Sequence, residues 1–176
     1  VIGVLGAGQM GSGIAQVAAA SGFDVVLQDI SSEGLNKAKA RIDQSLGKLV
    51  EKAKLSDAEA KAARGRIQTT THIEDLSRAG LVIEAATENV QLKYELFKAV
   101  DRICREDAIL ASNTSSISLT AIAAQTKRPE KIVGMHFMNP VPIMKLVEVI
   151  RGLRTSDDTF RQVKAAGEKM GKTCVE

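Results

Sequence analysis

The apolar residues of this chain change their spacing repeatedly, and the changes mark out its elements. Val1-Ile2-Gly3-Val4-Leu5 is a short continuous apolar run, the pattern of a strand buried on both faces. Further stretches that read as strands cover Phe23 to Asp29, Arg66 to Thr69, Gly80 to Ala86, Asp107 to Ser112, Ile132 to Phe137, Met144 to Ile150 and Lys172 to Val175. Between them the apolar positions recur every three or four residues, as a helix requires. Such stretches run from Ser12 to Ala20, from Ser31 or Ser32 to about Ala53, and from about Gln91 to Cys104. Others run from Leu119 to Gln125 and from Ser156 to about Met170. Ser56-Asp57-Ala58-Glu59 is a capping-box pattern that opens a further helix ending near Gly65. Strands alternating with helices predict an α/β fold built on a doubly wound, mostly parallel sheet.

The break between the first strand and the first helix carries chemistry. Gly6-Ala7-Gly8-Gln9-Met10-Gly11 has the glycine spacing of a dinucleotide-binding turn. That spacing alone is a weak signal. Here a strand precedes it, a helix follows it, and Asp29 closes the next strand 23 residues after Gly6. Gly6 allows the sharp turn, Gly8 lets backbone approach a pyrophosphate, and Gly11 lets helix and strand pack closely. Gln9 and Met10 lie in this turn and count with its glycines as cofactor contacts, and the N-terminus of the helix that follows favours an anion. Asp29 can accept hydrogen bonds from both hydroxyls of an adenosine ribose, and it would repel a 2′-phosphate. Ile30-Ser31-Ser32 offers no cation to receive one, so the expectation is NAD on a Rossmann-type domain.

Composition narrows the alternatives. The chain has 176 residues, enough for one compact domain, and 44% of them are apolar. No apolar run is long enough to span a membrane, and no signal-peptide pattern opens the chain. Two cysteines, Cys104 and Cys174, show neither metal-ligand nor redox spacing, so free thiols in a cytoplasmic protein without a metal are expected. The net charge of +3 is too small to argue for nucleic acid. Its distribution is informative, because Glu33 to Arg66 holds nine Lys/Arg against five acids, or +4, leaving −1 for the rest. The helical pair over about residues 32–65 is therefore a basic insertion after the second strand. Arg41, Ser45, Lys48 and Lys52 form a stripe along its first helix beside the apolar one.

In open α/β sheets ligands lie beyond the carboxyl ends of the strands. That rule selects Glu88 and Asn89, Asn113 to Ser116, and His136 with Asn139. His72 sits among polar residues and reads as surface. His136 ends an apolar strand, where an imidazole can work as a general acid or base. Alternation puts Glu148 on the same face as Met144, Leu146 and Ile150. A carboxylate on a buried apolar face needs a partner, and His136 is a suitable one. A strand with one wet face is the other reading. Asn113-Thr114-Ser115-Ser116 could cap a helix or hold a substrate oxygen. Glu84, an acid inside a strand, has no evident role.

The turn Gly6 to Gly11, the run Ser112-Asn113-Thr114-Ser115-Ser116 and above all His136-Phe137-Met138-Asn139-Pro140-Val141-Pro142-Ile143-Met144-Lys145-Leu146-Val147-Glu148 resemble the 3-hydroxyacyl-CoA dehydrogenases, the bacterial 3-hydroxybutyryl-CoA enzymes in particular. The resemblance spans the chain. It implies reversible NAD-dependent oxidation of a (S)-3-hydroxyacyl-CoA, with His136 as general base, Glu148 as its partner and Ser115 on the substrate's 3-oxygen. Asn113 and Asn139 would share that site. Glu88 and Lys93 would join Asp29 in contacting NAD, and Ser45 and Lys52 would contact CoA. The family adds a helical C-terminal domain that completes the acyl site and forms a homodimer. The chain stops about where that domain would begin, so residues 1–176 are expected to be the NAD-binding domain alone. Other readings are a module of a multifunctional fatty-acid oxidation protein, a 3-hydroxyacid dehydrogenase of the 6-phosphogluconate type, and a non-catalytic NAD-binding relative.

Overall fold

A computed structural model describes residues 1–176. One eight-stranded sheet runs through it in the order β3-β2-β1-β4-β5-β6-β7-β8. The strands are β1 (Ile2–Leu5), β2 (Val25–Gln28), β3 (Ile67–Thr70), β4 (Leu81–Glu84), β5 (Ile109–Ser112), β6 (Ile132–Phe137), β7 (Leu146–Arg151) and β8 (Thr173–Val175). From β3 across to β6 every pairing is parallel. β7 then runs antiparallel to β6, with β8 parallel to β7. The order in which strands are added reverses at β1, with β2 and β3 on one flank and β4 on the other, which makes the crevice between β1 and β4 the switch point of the sheet. This is the doubly wound, mostly parallel arrangement expected from the alternating pattern.

Helices α1 (Gln9–Ala20), α2 (Ser32–Glu51), α3 (Asp57–Arg66) and α6 (Asp157–Lys169) cover one face, and α4 (Val90–Ile103) and α5 (Leu119–Ala123) the other. Two 3₁₀ segments, Ile73–Arg78 and Pro129–Lys131, have no counterpart in the sequence-based expectations. α1 begins at Gln9, earlier than the expected Ser12, because Gly8 is its extended N-cap and Gln9, Met10 and Gly11 already form its first turn. The inserted pair is α2 and α3, and Leu35, Ala38, Ile42 and Leu46 form the buried stripe of α2.

Polar caps start most of these helices. Ser31 accepts a hydrogen bond from the Gly34 N–H, Ser56 and Glu59 form the reciprocal capping box, and Asn89, Ser118 and Ser156 cap α4, α5 and α6. α1 has no side-chain cap.

One expectation about β7 is corrected. Its buried face is Val147 and Val149, which pack under α6, whereas Leu146 and Ile150 are 39% and 38% exposed. Glu148 shares this second face, so it is not on a buried apolar one. Alternation shows that a strand has two faces but not which of them a helix will cover, and α6 covers the other.

The end of α2 decides where two lysines go. Ala53 adopts φ 56°, its N–H reaches the Val50 carbonyl, and the Lys54 N–H reaches Leu49. This is the double-bonded helix stop usually made by glycine. It turns the backbone so that Lys52 and Lys54 both border the crevice next to α2. A left-handed alanine is strained, so Ala53→Gly is expected to raise the stability to urea by about 1 kcal/mol without altering the fold.

Candidate active site

Three adjoining clefts open along the carboxyl edge of the sheet. The first, about 290 Å³, is bordered by Gly6, Gly8, Asp29, Ile30 and Leu92. The second, also about 290 Å³, is bordered by Met10, Glu88, Asn113, Ser115, His136 and Asn139. The third, about 540 Å³, lies between α1, α2 and the turn after β6, and holds Ser45, Lys48 and Lys52. Ala85 and Ala86 border both of the first two, and Asn139 both of the last two.

The first cleft meets the demands of a dinucleotide. Gly6 has φ +105°, and a Cβ there would lie 2.7 Å from the Ala85 carbonyl oxygen. A Cβ on Gly11 would lie 1.7 Å from the Gly6 carbonyl oxygen, so only glycine lets α1 start this close to β1. Gly8 faces open space. The first-turn N–H groups of α1, lacking a side-chain cap, are left for an anion. Asp29 is already oriented, since Oδ2 accepts from the Ala7 N–H at 2.8 Å and Oδ1 from the Ser31 N–H at 3.0 Å. Each of its oxygens keeps a further lone pair for a ribose hydroxyl.

The second cleft brings together residues separated by more than a hundred positions. His136 Nδ1 lies 3.1 Å from Glu148 Oε1, across the β6–β7 register in which these two residues are partners. With Nδ1–H donating to the carboxylate, Nε2 is left as the free base. Asn113 is fixed as well. Its Oδ1 accepts from the Phe137 N–H at 2.8 Å, which leaves its amide N–H groups as the donors. Thr114 Oγ1 takes the Ile117 N–H and donates to Glu88, and Ser116 also donates to Glu88. The polar run thus divides: Thr114 and Ser116 are structural, while the Ser115 hydroxyl is exposed at the cleft. Asn89 is used as the cap of α4.

Lys93 borders the same cleft but is almost wholly buried, and its ammonium is saturated. It meets Glu84 at 2.6 Å, Glu88 at 3.1 Å and the Ala86 carbonyl at 3.3 Å. This is also the account of Glu84 that the sequence alone did not yield. Partial burial raises the pKa of Glu88, but hydrogen bonds from Thr114, Lys93 and Ser116, together with the Lys93 charge, hold it below its ordinary value.

In the third cleft Arg41, Ser45, Lys48, Lys52, Lys54 and Lys145 line a wall without a single acid. Arg41 donates to Ser12 Oγ at 2.8 Å, Ser12 donates to the Gly8 carbonyl at 2.6 Å, and Gln16 donates to Ser45 at 2.9 Å. The basic stripe is thereby tied to the helix that begins at the glycine turn. Lys172 fixes the opposite wall by donating to the Val141 and Met144 carbonyls, and burial pushes its pKa down.

Residues 1–176 match the family model described as "3-hydroxyacyl-CoA dehydrogenase, NAD binding domain". The chain belongs to this family. A probable 3-hydroxybutyryl-CoA dehydrogenase of Deinococcus radiodurans is 57% identical over 97% of the chain and 61% of its own length. Its Bacillus subtilis counterpart is 53% identical over 98% of the chain and 60% of its own length. The crystal structure of (S)-3-hydroxybutyryl-CoA dehydrogenase from Ralstonia eutropha superposes with a TM-score of 0.97 at 48% identity, covering 99% of this chain and 62% of that one. The chain thus spans about three fifths of the length of these relatives. As the NAD-binding domain of the 3-hydroxyacyl-CoA dehydrogenase family, it takes NAD as its cofactor, in agreement with the geometry at Gly6, Gly11 and Asp29.

The lowered pKa of Glu88 has a measurable consequence for this domain. A depressed carboxylate stabilises the fold above its unfolded value, 4.5, and that contribution is lost as the pH falls through the lower folded value. Urea melts of wild type and Glu88→Gln should therefore differ at neutral pH and converge as the pH falls through the lowered folded value. A difference that persists unchanged at low pH would contradict the ionised hydrogen-bonded arrangement.

Proposed function

We propose that the protein containing this domain oxidises (S)-3-hydroxyacyl-CoA reversibly to 3-oxoacyl-CoA in fatty-acid and butanoate metabolism in the cytoplasm, with 3-hydroxybutyryl-CoA as substrate. The observation that carries the reading is the His136–Glu148 pair, 3.1 Å apart and opening on the cleft that also holds Ser115 and Asn113. NAD, when bound, supplies the hydride acceptor. Ser115 and the amide of Asn113 hold the substrate's 3-oxygen, with Asn139 beside them. Nε2 of His136 takes the hydroxyl proton as the carbonyl forms, and Glu148 stabilises the resulting imidazolium. In the reductive direction the same imidazolium returns the proton. Asp29 receives the adenosine ribose, and Glu88 borders the nicotinamide end of the cofactor.

The third cleft fits CoA. Its six-residue basic and hydroxyl wall offers cations to a nucleotide's phosphates, with Ser45 and Lys52 as principal contacts. Kinetics of the full-length protein separate these roles. His136→Gln should lower kcat by roughly 10²- to 10⁴-fold with NADH affinity retained. Lys52→Ala should instead raise KM for the CoA ester and leave KM for a pantetheine ester, which lacks the nucleotide, unmoved. A His136→Gln enzyme at wild-type rate would sink the general-base role.

We further propose that a helical domain follows residues 1–176, covers the open face of β7 and β8, completes the acyl site and pairs two copies. Leu146, Ile150 and Val175 are exposed there beside Glu148, which supports the reading. Sedimentation should give a dimer for the full-length protein and a monomer for residues 1–176; a dimer from the short chain would place the contact elsewhere.

A further inference from the structure

Glu84 and Lys93 are 2% and 1% exposed, and they form the most deeply buried ion pair of the chain. Buried pairs of this kind stabilise a fold little compared with apolar side chains of the same volume. The position of this one suggests another use. Glu84 Oε2 accepts from Lys93 at 2.6 Å and from the Ala86 N–H at 2.6 Å, while Oε1 accepts from Ser112 at 2.7 Å. On its outer side Lys93 meets Glu88, whose side chain is 44% exposed and borders the second cleft. Two carboxylates thus share one ammonium, and the group carries one net negative charge. Lys93 is the only Lys or Arg bordering that cleft.

The inner carboxylate determines how this charge is felt. With Glu84 present, Lys93 is neutralised from behind, and Glu88 keeps an uncompensated charge toward the cleft. Without it, Lys93 would cancel Glu88 instead. A nicotinamide ring is cationic when oxidised and neutral when reduced, so a net negative wall distinguishes the two forms where a neutral wall does not.

We propose that Glu84 is a positioning residue that sets the relative affinity of the domain for oxidised over reduced NAD, acting through Lys93 on the charge of Glu88. This rests on the reading that the second cleft holds the nicotinamide. It extends that reading from where the cofactor sits to which redox state the site favours.

Dissociation constants of NAD⁺, by calorimetry, and NADH, by its fluorescence, test this on the full-length protein without any turnover. Glu84→Gln should raise the ratio Kd(NAD⁺)/Kd(NADH) by about tenfold. Glu88→Gln, at a partly exposed position where some stability is lost but the fold is kept, should raise it similarly. The double variant Glu84→Gln/Lys93→Met removes both buried charges and leaves Glu88 unpaired, so it should return the ratio toward wild type. A purely structural role would weaken both nucleotides together and would make the double variant worse. An unmoved ratio in Glu88→Gln, or one not restored in the double variant, overturns the inference alone. Failure of the wild-type protein to bind either nucleotide overturns the cofactor cleft itself and this inference with it.

Discussion

In a parallel sheet every strand delivers its last residues to the same edge, and the backbone groups there have lost their ladder partners. They must be satisfied from elsewhere, since buried N–H groups without acceptors are costly. Here side chains at strand ends bridge to the neighbouring end. Asp29 after β2 takes the N–H of Ala7 after β1, and Asn113 after β5 takes the N–H of Phe137 at the end of β6. Glu84 at the end of β4 takes the N–H of Ala86 and the hydroxyl of Ser112 at the end of β5. The polar residues that line the clefts are therefore the ones that hold the edge together. Their orientation is fixed before any ligand arrives, which is the condition for preorganised recognition.

The inserted pair α2–α3 is joined to this edge by polar contacts along α1. Arg41 reaches Ser12 and Gln16 reaches Ser45, so the basic stripe stands one helix away from the glycine turn. A single helix, α1, then separates the first cleft from the third. Its start faces the first and its flank, through Gln9, Ser12, Gly13 and Gln16, borders the third. The cations stand on α2, just past its end at Lys52 and Lys54, and at Lys145, apart from the helix terminus that faces the first cleft.

Much of this was legible in the sequence because it is local. Capping residues and the glycine spacing signal within a few residues of where they act, and the acid after β2, although 22 residues from the Ala7 N–H it accepts, stands where the strand–helix–strand unit fixes it. The His136–Glu148 pair was legible too, although part of the argument for it was not sound: the face shared with Leu146 and Ile150 is open. What was hidden depends on which elements dock together. Glu84 reads as a stray acid until α4 folds back over β4 and brings Lys93 to it. Arg128 gives no signal at all, yet its guanidinium binds Asp101 and the carbonyls of Asp101, Cys104, Arg105 and Ala108, closing the end of α4. Lys172 was read as the start of a strand, and in the fold it secures a turn 28 to 31 residues away. Partners at such distances leave no periodicity to detect.

The reversal of chain direction between β6 and β7 has a consequence for how such a site can diversify. Register in an antiparallel ladder is all or nothing: a slip of one residue would carry Glu148 to the opposite face and away from His136. The segment 138–145 that joins the two strands lies outside the ladder and is held by other contacts, with Val141 buried and Lys172 donating to the Val141 and Met144 carbonyls. A change in that turn acts on the wall between the second and third clefts, where Asn139 stands, and not on the ladder that sets His136 opposite Glu148. The pairing is written in the ladder of the hairpin, and the shape of the wall beside it in the contacts of the turn.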